Sequence, residues 1–373
     1  MTRDSATQVL VIGGGQAGLA AAHALGQRGI ECQVVDAGPE SGHSWRTRWD
    51  SLKLFTPVEF SSLPGRRFPG AAGSYAGKDA VADYLAGYRR DQGLTVLDAT
   101  RVTRLRRSDH GFEADTTRGR LTAARVVVAT GPYQEPVAPA ISASLDSSVL
   151  SLHSASYRNP HQLPPGRVLV VGSGNSGLQI AEELTASHEV HVASGSPSPY
   201  LPSTVAGRSV FWWLTRLGAM DVAATSRLGR RLSRRGDPVI GSRSRALAHR
   251  GAVFHARLVS ASGRMAGFAD GSSLPVDAVV WATGFRPDYG WLEVPGALDR
   301  GRPRHRSGVS VVDGLYYLGL RWQRRLGSSL LGFVGADASW LAGRISGEGT
   351  PATMPVPEAS TGGSPPDRDE GES

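Results

Sequence analysis

Apolar runs and glycine-rich turns alternate along the chain in a strand, turn, helix, strand order. Residues 9–12 form an apolar run, GGGQAG follows, and LAAAHALGQRG reads as a helix. A second apolar run, 31–35, then ends in Asp36. This is the first βαβ unit of a doubly wound sheet. The pattern returns at 167–171, followed by GSGNSG, the helical LQIAEELTAS and a further run at 189–192. The first glycines of the two turns, Gly13 and Gly172, lie about 159 residues apart, an internal duplication of function if not of sequence.

A second repeated signal lies between these units. RVVVATG (125–131) and AVVWATG (278–284) are both buried-strand runs that end in Ala-Thr-Gly, and each meets a proline within five residues, Pro136 and Pro287. A proline there stops the strand and redirects the chain. These are read as the points where the chain leaves one domain for the other. The predicted fold is α/β with two dinucleotide-binding, Rossmann-like domains, the second inserted into a discontinuous first. The expected bounds are 1–160 and 282–348 for the first domain and 161–281 for the second. Residues 349–373 are rich in Pro, Gly, Ser and acidic residues, and are expected to form a disordered tail.

Each turn carries its own chemistry. In Gly13-x-Gly15-x-x-Gly18 the first glycine permits the tight turn, the second lets the backbone approach a pyrophosphate, and the third lets helix and strand pack closely. Gln16 and Ala17 open the helix, whose N-terminus offers amide donors to phosphate. Asp36, at the end of the second strand, is placed to accept from ribose hydroxyls. The second turn, Gly172-x-Gly174-x-x-Gly177 with Asn175 and Ser176, ends differently. No acid stands at 193–196, which permits the 2′-phosphate of NADPH, and Ser194 and Ser196 are placed to donate to it. The arginine expected just after that strand is missing, so NADPH is favoured over NADH without being required.

Composition narrows the remaining choices. The chain has 373 residues, a formal net charge of +8, and only two lysines, Lys53 and Lys78, among its 41 basic residues. Arginine in place of lysine almost everywhere reads as a coding habit rather than a nucleic-acid ligand, with an acidic partner as the alternative. A lone Cys32 excludes an internal disulfide and a Cys-x-x-Cys pair. No apolar stretch of about eighteen residues predicts a membrane span, and no signal-peptide pattern precedes 9–12, so a cytoplasmic location is expected. No paired metal ligands are found.

Seven segments in order resemble the flavin-containing monooxygenases, a class that includes Baeyer–Villiger and YUCCA-type enzymes, with the CzcO-like bacterial branch most similar. They are GGGQAG, SWRTRWDSLKLFTP (44–57), ATG (129–131), HSASY (153–157), GSGNSG, ATGFRPDY (282–289) and GLYYLGLRWQRRLGSSLLGFVGADA (314–338). The resemblance covers the chain to about residue 345. It implies FAD in the first domain, with Trp45, Arg46, Leu54 and Thr56 walling the flavin, although simple core packing also accounts for Trp45 and Trp49. It implies contacts at Thr130, Gly131, Thr283 and Gly284, and a helix N-terminus near Ser328 to Gly332 directed at the flavin. His153 and Tyr157 match the HSxxY part of the family fingerprint and are the candidate catalytic residues; a hinge or hydrogen-bond anchor is the other reading of His153. Ser147 and Val149 replace the upstream Phe and Gly, and Arg158 stands where Baeyer–Villiger enzymes carry Pro or Asp. These departures favour nitrogen or sulfur oxygenation.

The implied activity is NADPH-dependent insertion of one oxygen atom of O₂ into a small-molecule substrate through a C4a-peroxyflavin. Many such enzymes carry an asparagine beyond the LFT stretch, where this chain has Thr56-Pro57. That departure keeps an NAD(P)H oxidase or reductase open, beside a Baeyer–Villiger enzyme and a non-catalytic nucleotide sensor. Pocket residues are expected from 55–75, 197–245 and 320–333. Arg227, Arg230, Arg231, Arg234 and Arg235 share one helical face, read as solvated, or as docking the NADPH 2′-phosphate or an acidic surface. The aromatic cluster at 211–214 is read as core, substrate wall or membrane-surface anchor. A homodimer stays open, since nothing in the sequence specifies the oligomeric state.

Overall fold

The computed structural model describes residues 5–195, 199–241 and 244–347; Ser196 and the tail 349–373 lie outside them. The first domain is built on a sheet with β2 (Cys32–Val35) and β6 (Gly119–Val128) parallel to and flanking β1 (Ser5–Ile12). β3 (Val96–Leu97) extends one edge. On the other side of β6, the hairpin β4 (Val102–Ser108) and β5 (Gly111–Thr116) pairs with its N-terminal half, and Leu315–Tyr317 pairs with its C-terminal end.

Strand periodicity explains the layering. Successive side chains point to opposite faces, so a strand buried on both sides divides its apolar residues between two cores. Val9, Val11, Val127 and Tyr316 face one core, and Leu10, Ile12, Val126, Val128 and Tyr317 face the other. The first core is closed by α1 (Gln16–Gly26), α3 (Lys78–Asp91) and the C-terminal helix Val334–Ile345. The alanines of α1 favour the helix and let the C-terminal helix approach closely. A single turn, α2 (His43–Arg46), joins β2 to α3. The second core is closed by the β4–β5 hairpin and by Tyr289, Leu292 and Val294.

The chain crosses between domains twice, side by side. Strand β7 (Glu135–Pro136) leaves the first domain and pairs antiparallel with Phe285–Arg286, which returns to it. The second domain is a five-stranded parallel sheet. Its order is Val253–His255, β10 (Glu189–Ala193), β9 (Arg167–Val171), Ala278–Trp281 and β8 (Leu150–His153). α4 (Asn175–Leu184) covers one face and a three-stranded antiparallel sheet the other, the same layering as the first domain. The boundary expected at 160 needs correction. Strand β8 pairs with Ala278–Trp281 and so belongs to the second sheet. Its sequence, LSLH, is too short and too polar to announce a strand.

The C-terminal helix is locked by a buried charge cluster. Asp337, almost fully buried, accepts from Arg324 Nη1 at 3.1 Å and Arg325 Nε at 3.0 Å. Arg325 also pairs with Asp221 and donates to Phe333 O at 2.8 Å. Asp337→Ala leaves two guanidinium groups without their shared carboxylate and should destabilise the flavin-free protein by about 3 kcal/mol, read as a lowered urea midpoint.

Candidate nucleotide and substrate sites

The two glycine turns are built alike, and the reason each glycine is needed differs within each turn. Gly13 and Gly172 adopt φ of +109° and +114°, in the region that favours glycine. A Cβ on Gly13 would lie 2.6 Å from Ala129 O, and one on Gly172 would lie 2.4 Å from Ala282 O. The third glycines are excluded by the turn itself, since a Cβ on Gly18 or Gly177 would lie 1.7 or 2.0 Å from the carbonyl oxygen of Gly13 or Gly172. The second glycines have no such cause. Gly15 and Gly174 have extended backbones with φ of −77°, and an added Cβ meets nothing within 4 Å. Both precede helices that lack a side-chain cap. This open space in front of uncapped helix amides fits a dinucleotide pyrophosphate.

The two Ala-Thr-Gly segments therefore do equivalent jobs. Each exits its sheet with the alanine carbonyl seated on the first glycine of the neighbouring turn. Gln134 ties the exits together, donating to Thr130 Oγ1 at 2.6 Å and Gly131 O at 2.9 Å while accepting from Asp288 N at 2.6 Å. Thr283 donates its hydroxyl to Val137 O. Gly284 O is 3.0 Å from His153 Nε2, and Ala155 N donates to His153 Nδ1 at 3.0 Å. His153 is thus a neutral imidazole with Nε2–H donating, and burial lowers its pKa. Tyr157 is buried and donates to Glu183 Oε2 at 2.9 Å, with its pKa pushed well above the usual tyrosine value, largely by burial. In this structure the candidate pair is engaged by the chain itself, His153 at the crossing and Tyr157 with Glu183 on α4.

The strands end in opposite chemistries. Asp36, after β2, accepts from the amides of Gly14 and Gly38, which fixes its carboxylate beside the first turn. After β10, Ser194 and Ser173 share a hydroxyl–hydroxyl hydrogen bond of 2.7 Å, and Ser194 N donates to His255 O at 3.1 Å. An arginine does stand at this position. Arg257, carried just beyond the neighbouring strand Val253–His255, donates from Nη2 to Gly195 O at 2.9 Å. Sequence spacing missed it because it arrives from 62 residues away. Parallel pairing of that strand with β10 was the signal that would have found it.

Several polar residues expected at the cofactors are used by the chain itself. Arg46 is ion-paired to Glu40 and Asp83, both at 2.8 Å, rather than presented to a flavin. Asn175 clasps the strand Val239–Ile240, donating to Pro238 O at 3.0 Å and accepting from Ile240 N at 2.9 Å. Gln16 donates to Ser329 O at 3.1 Å, which brings the closing segment over the start of α1. Ser328 Oγ accepts from the amides of Arg324 and Arg325. Gly332 sits where a Cβ would lie 2.0 Å from Phe60 O, and the helix begins only at Val334. Ser176 is half-buried in the first turn of α4. Trp45 is partly buried between the two domain cores, and Trp49 is buried with its Nε1 lacking a partner.

The segment carrying Leu54 and Thr56 is held from both domains. Leu54 N donates to Ala76 O at 2.8 Å, and the Gln179 amide on α4 bonds reciprocally with the backbone of Lys53. The buried Thr56 hydroxyl lies 3.0 Å from Ser61 Oγ, which itself donates to Pro57 O at 3.0 Å, so the Thr56 hydrogen goes to Ser61. A cavity of about 330 Å³ opens between the domains, walled by Leu54, Phe55 and Tyr75 on one side and Ser203, Ile240 and Leu247 on the other. Gln179, Glu182 and Arg250 complete its wall, and its size and mixed lining suit a small organic molecule with polar groups. Among the described residues no cluster of metal-ligating side chains exists. No helix among them is long and apolar enough to cross a membrane.

Comparison with known proteins agrees with this geometry. Residues 10–199 match the family described as pyridine nucleotide-disulphide oxidoreductase. A CzcO-like oxidoreductase of Geobacillus kaustophilus is 44% identical over 90% of this chain and 97% of its own length. An indole-3-pyruvate monooxygenase of the YUCCA8 type from rice is 29% identical over 91% of this chain and 90% of its own. The flavin-containing monooxygenase of Stenotrophomonas maltophilia superposes with a TM-score of 0.77 at 28% identity, covering 92% of this chain and 99% of that one. With two nucleotide turns, the inserted second domain and these relatives together, the chain belongs to the pyridine nucleotide-disulphide oxidoreductase family, as a flavin-dependent oxidoreductase of the monooxygenase type.

Proposed function

We propose that the protein is an NADPH-dependent flavin monooxygenase that transfers one atom of O₂ to a small-molecule nucleophile, nitrogen or sulfur, and releases the other as water. The observation that carries this reading is a pair of glycine turns whose open, uncapped helix ends fit two dinucleotides, together with a cavity between the domains lined by Leu54, Phe55 and Tyr75 of one and Ile240 and Leu247 of the other. His153 is held at the crossing, and Tyr157 is tied to Glu183 on α4. When bound, FAD and NADPH supply the hydride and oxygen chemistry. The protein's share is to bind, to orient and to exclude water.

Thiol–disulfide chemistry, which the family's name includes, finds no support in this chain. Its only cysteine, Cys32, is half-buried in β2, and burial together with Glu31 pushes its pKa up to about 11. A thiol so raised is a poor nucleophile at neutral pH. A second reading, an NADPH oxidase, is favoured by one observation, the commitment of the Thr56 hydroxyl to Ser61. Isotope labelling separates the two. With ¹⁸O₂, NADPH and a panel of amines and thioethers, the proposal expects one labelled oxygen atom in a product. Stoichiometric hydrogen peroxide with every substrate would instead establish the oxidase.

The glycine analysis yields a sharper test of cofactor placement. Gly15→Val should abolish flavin content while the flavin-free protein keeps its far-ultraviolet circular dichroism and urea midpoint. Gly174→Val should lose NADPH binding and keep the flavin. Full flavin content in Gly15→Val would overturn the assignment of the first turn.

Arg257 beside Ser194 is proposed as the partner of the 2′-phosphate. Arg257→Ala should weaken NADPH binding about ten-fold or more while leaving NADH nearly unchanged. Calorimetric titration of the flavin-loaded protein with NADP⁺ and NAD⁺ reads this directly. Equal loss for both nucleotides would mean that Arg257 merely supports the loop.

A further inference from the structure

The segment 199–241 is an excursion from the second domain that leans on the closing segment of the first. Its inner side is well anchored. Val210, Phe211 and Met220 are buried against Phe55, Phe60 and Phe333, and the Phe55 and Phe211 rings stack with centroids 6.1 Å apart. Backbone bonds join it to the closing segment, from Ala224 N to Arg324 O at 2.9 Å and from Gly327 N to Met220 O at 3.1 Å.

The outer side has no such partners. The excursion holds seven arginines, at 208, 216, 227, 230, 231, 234 and 235, against two aspartates and no lysine or glutamate. Neither aspartate neutralises them. Asp221 pairs with Arg325 and Asp237 with Arg321, both outside the excursion. All seven arginines are exposed, and none has a carboxylate partner among the described residues. Next in the chain to Arg216 and Arg227 stand Leu217, 75% exposed just after the helix Val210–Arg216, and Leu228, 53% exposed in the helix Arg227–Ser233. Among the described residues these are the only leucines so exposed. Half-exposed Trp212 and Trp213 adjoin them, with the Arg208 guanidinium over the Trp212 ring at 5.3 Å.

We propose that the outer face of this excursion docks the protein on an anionic phospholipid surface. Unpaired arginines supply the attraction to phosphate headgroups, and the two leucines enter the boundary between headgroups and acyl chains. The tryptophans suit the same interface, where an apolar ring meets a wet edge. A nucleic acid would satisfy the charge but would leave both leucines in water. The association is peripheral, since no described helix can span a bilayer.

The test is co-sedimentation of the flavin-loaded full chain with vesicles of phosphatidylcholine, with and without about one third phosphatidylglycerol. Binding is expected only to the anionic vesicles and should fall as salt is raised. The variant R230E/R231E/R234E should lower the partition coefficient on the order of 100-fold. L217S/L228S, which keeps every charge, should lower it by about ten-fold or more. Unchanged flavin absorbance and NADPH binding in each variant certify the fold; should the charge reversal lose flavin, R230Q/R234Q and the leucine pair carry the same comparison. Absence of binding to anionic vesicles at low salt would overturn the proposal. So would partition indifferent to the leucine pair, or binding to a DNA duplex without binding to vesicles.

Discussion

The arrangement depends on one repeated contact, a strand's last carbonyl seated against a glycine that has no room for a side chain. Ala129 O sits on Gly13 and Ala282 O sits on Gly172. Each contact sets where a strand leaves its sheet relative to a phosphate-binding turn. Because both exits are also the points where the chain changes domain, the same contact places the crossing beside both turns. The paired strands of the crossing, Gln134 bridging the two exits, and His153 held through both ring nitrogens all follow from that placement. The strand pairing and these side-chain bonds make the crossing a defined structure rather than a loose tether.

This contact also clarifies what a glycine motif means. Three glycines at the same spacing meet different constraints within a single turn: backbone conformation and the neighbouring strand's carbonyl at the first, the turn's own carbonyl at the third. Only the second is left without an internal cause. A side chain at Gly15 or Gly174 would cost the empty protein nothing in sterics or strain. What a side chain there would obstruct is the open space in front of the helix, which is where a pyrophosphate approaching the backbone would lie.

Much of the fold was legible because it is written in short-range patterns. Both βαβ units and the insertion of one domain in the other follow from apolar runs and glycine turns. The misreadings share a physical origin. Strand β8 escaped notice because four residues with two polar positions acquire strand character only from their neighbour Ala278–Trp281. Arg46 and Asn175 stand at motif positions, yet a polar side chain near a ligand site satisfies the chain's own carboxylates and carbonyls just as readily. Arg257 was invisible to spacing for the opposite reason, since its place is set by pairing between strands.

The contrast between the strand ends then carries more weight than either turn alone. Both turns present the same backbone to a phosphate, so they cannot distinguish one dinucleotide from another. Discrimination falls to the side chains one strand further on. At the first site a carboxylate is anchored by two backbone amides, where it would accept from ribose hydroxyls and repel a further phosphate. At the second, two serines and an arginine from the adjacent strand offer donors and positive charge. On the proposed assignment, a duplicated turn would be made selective by the sign of charge at one position, one strand away from the phosphate itself.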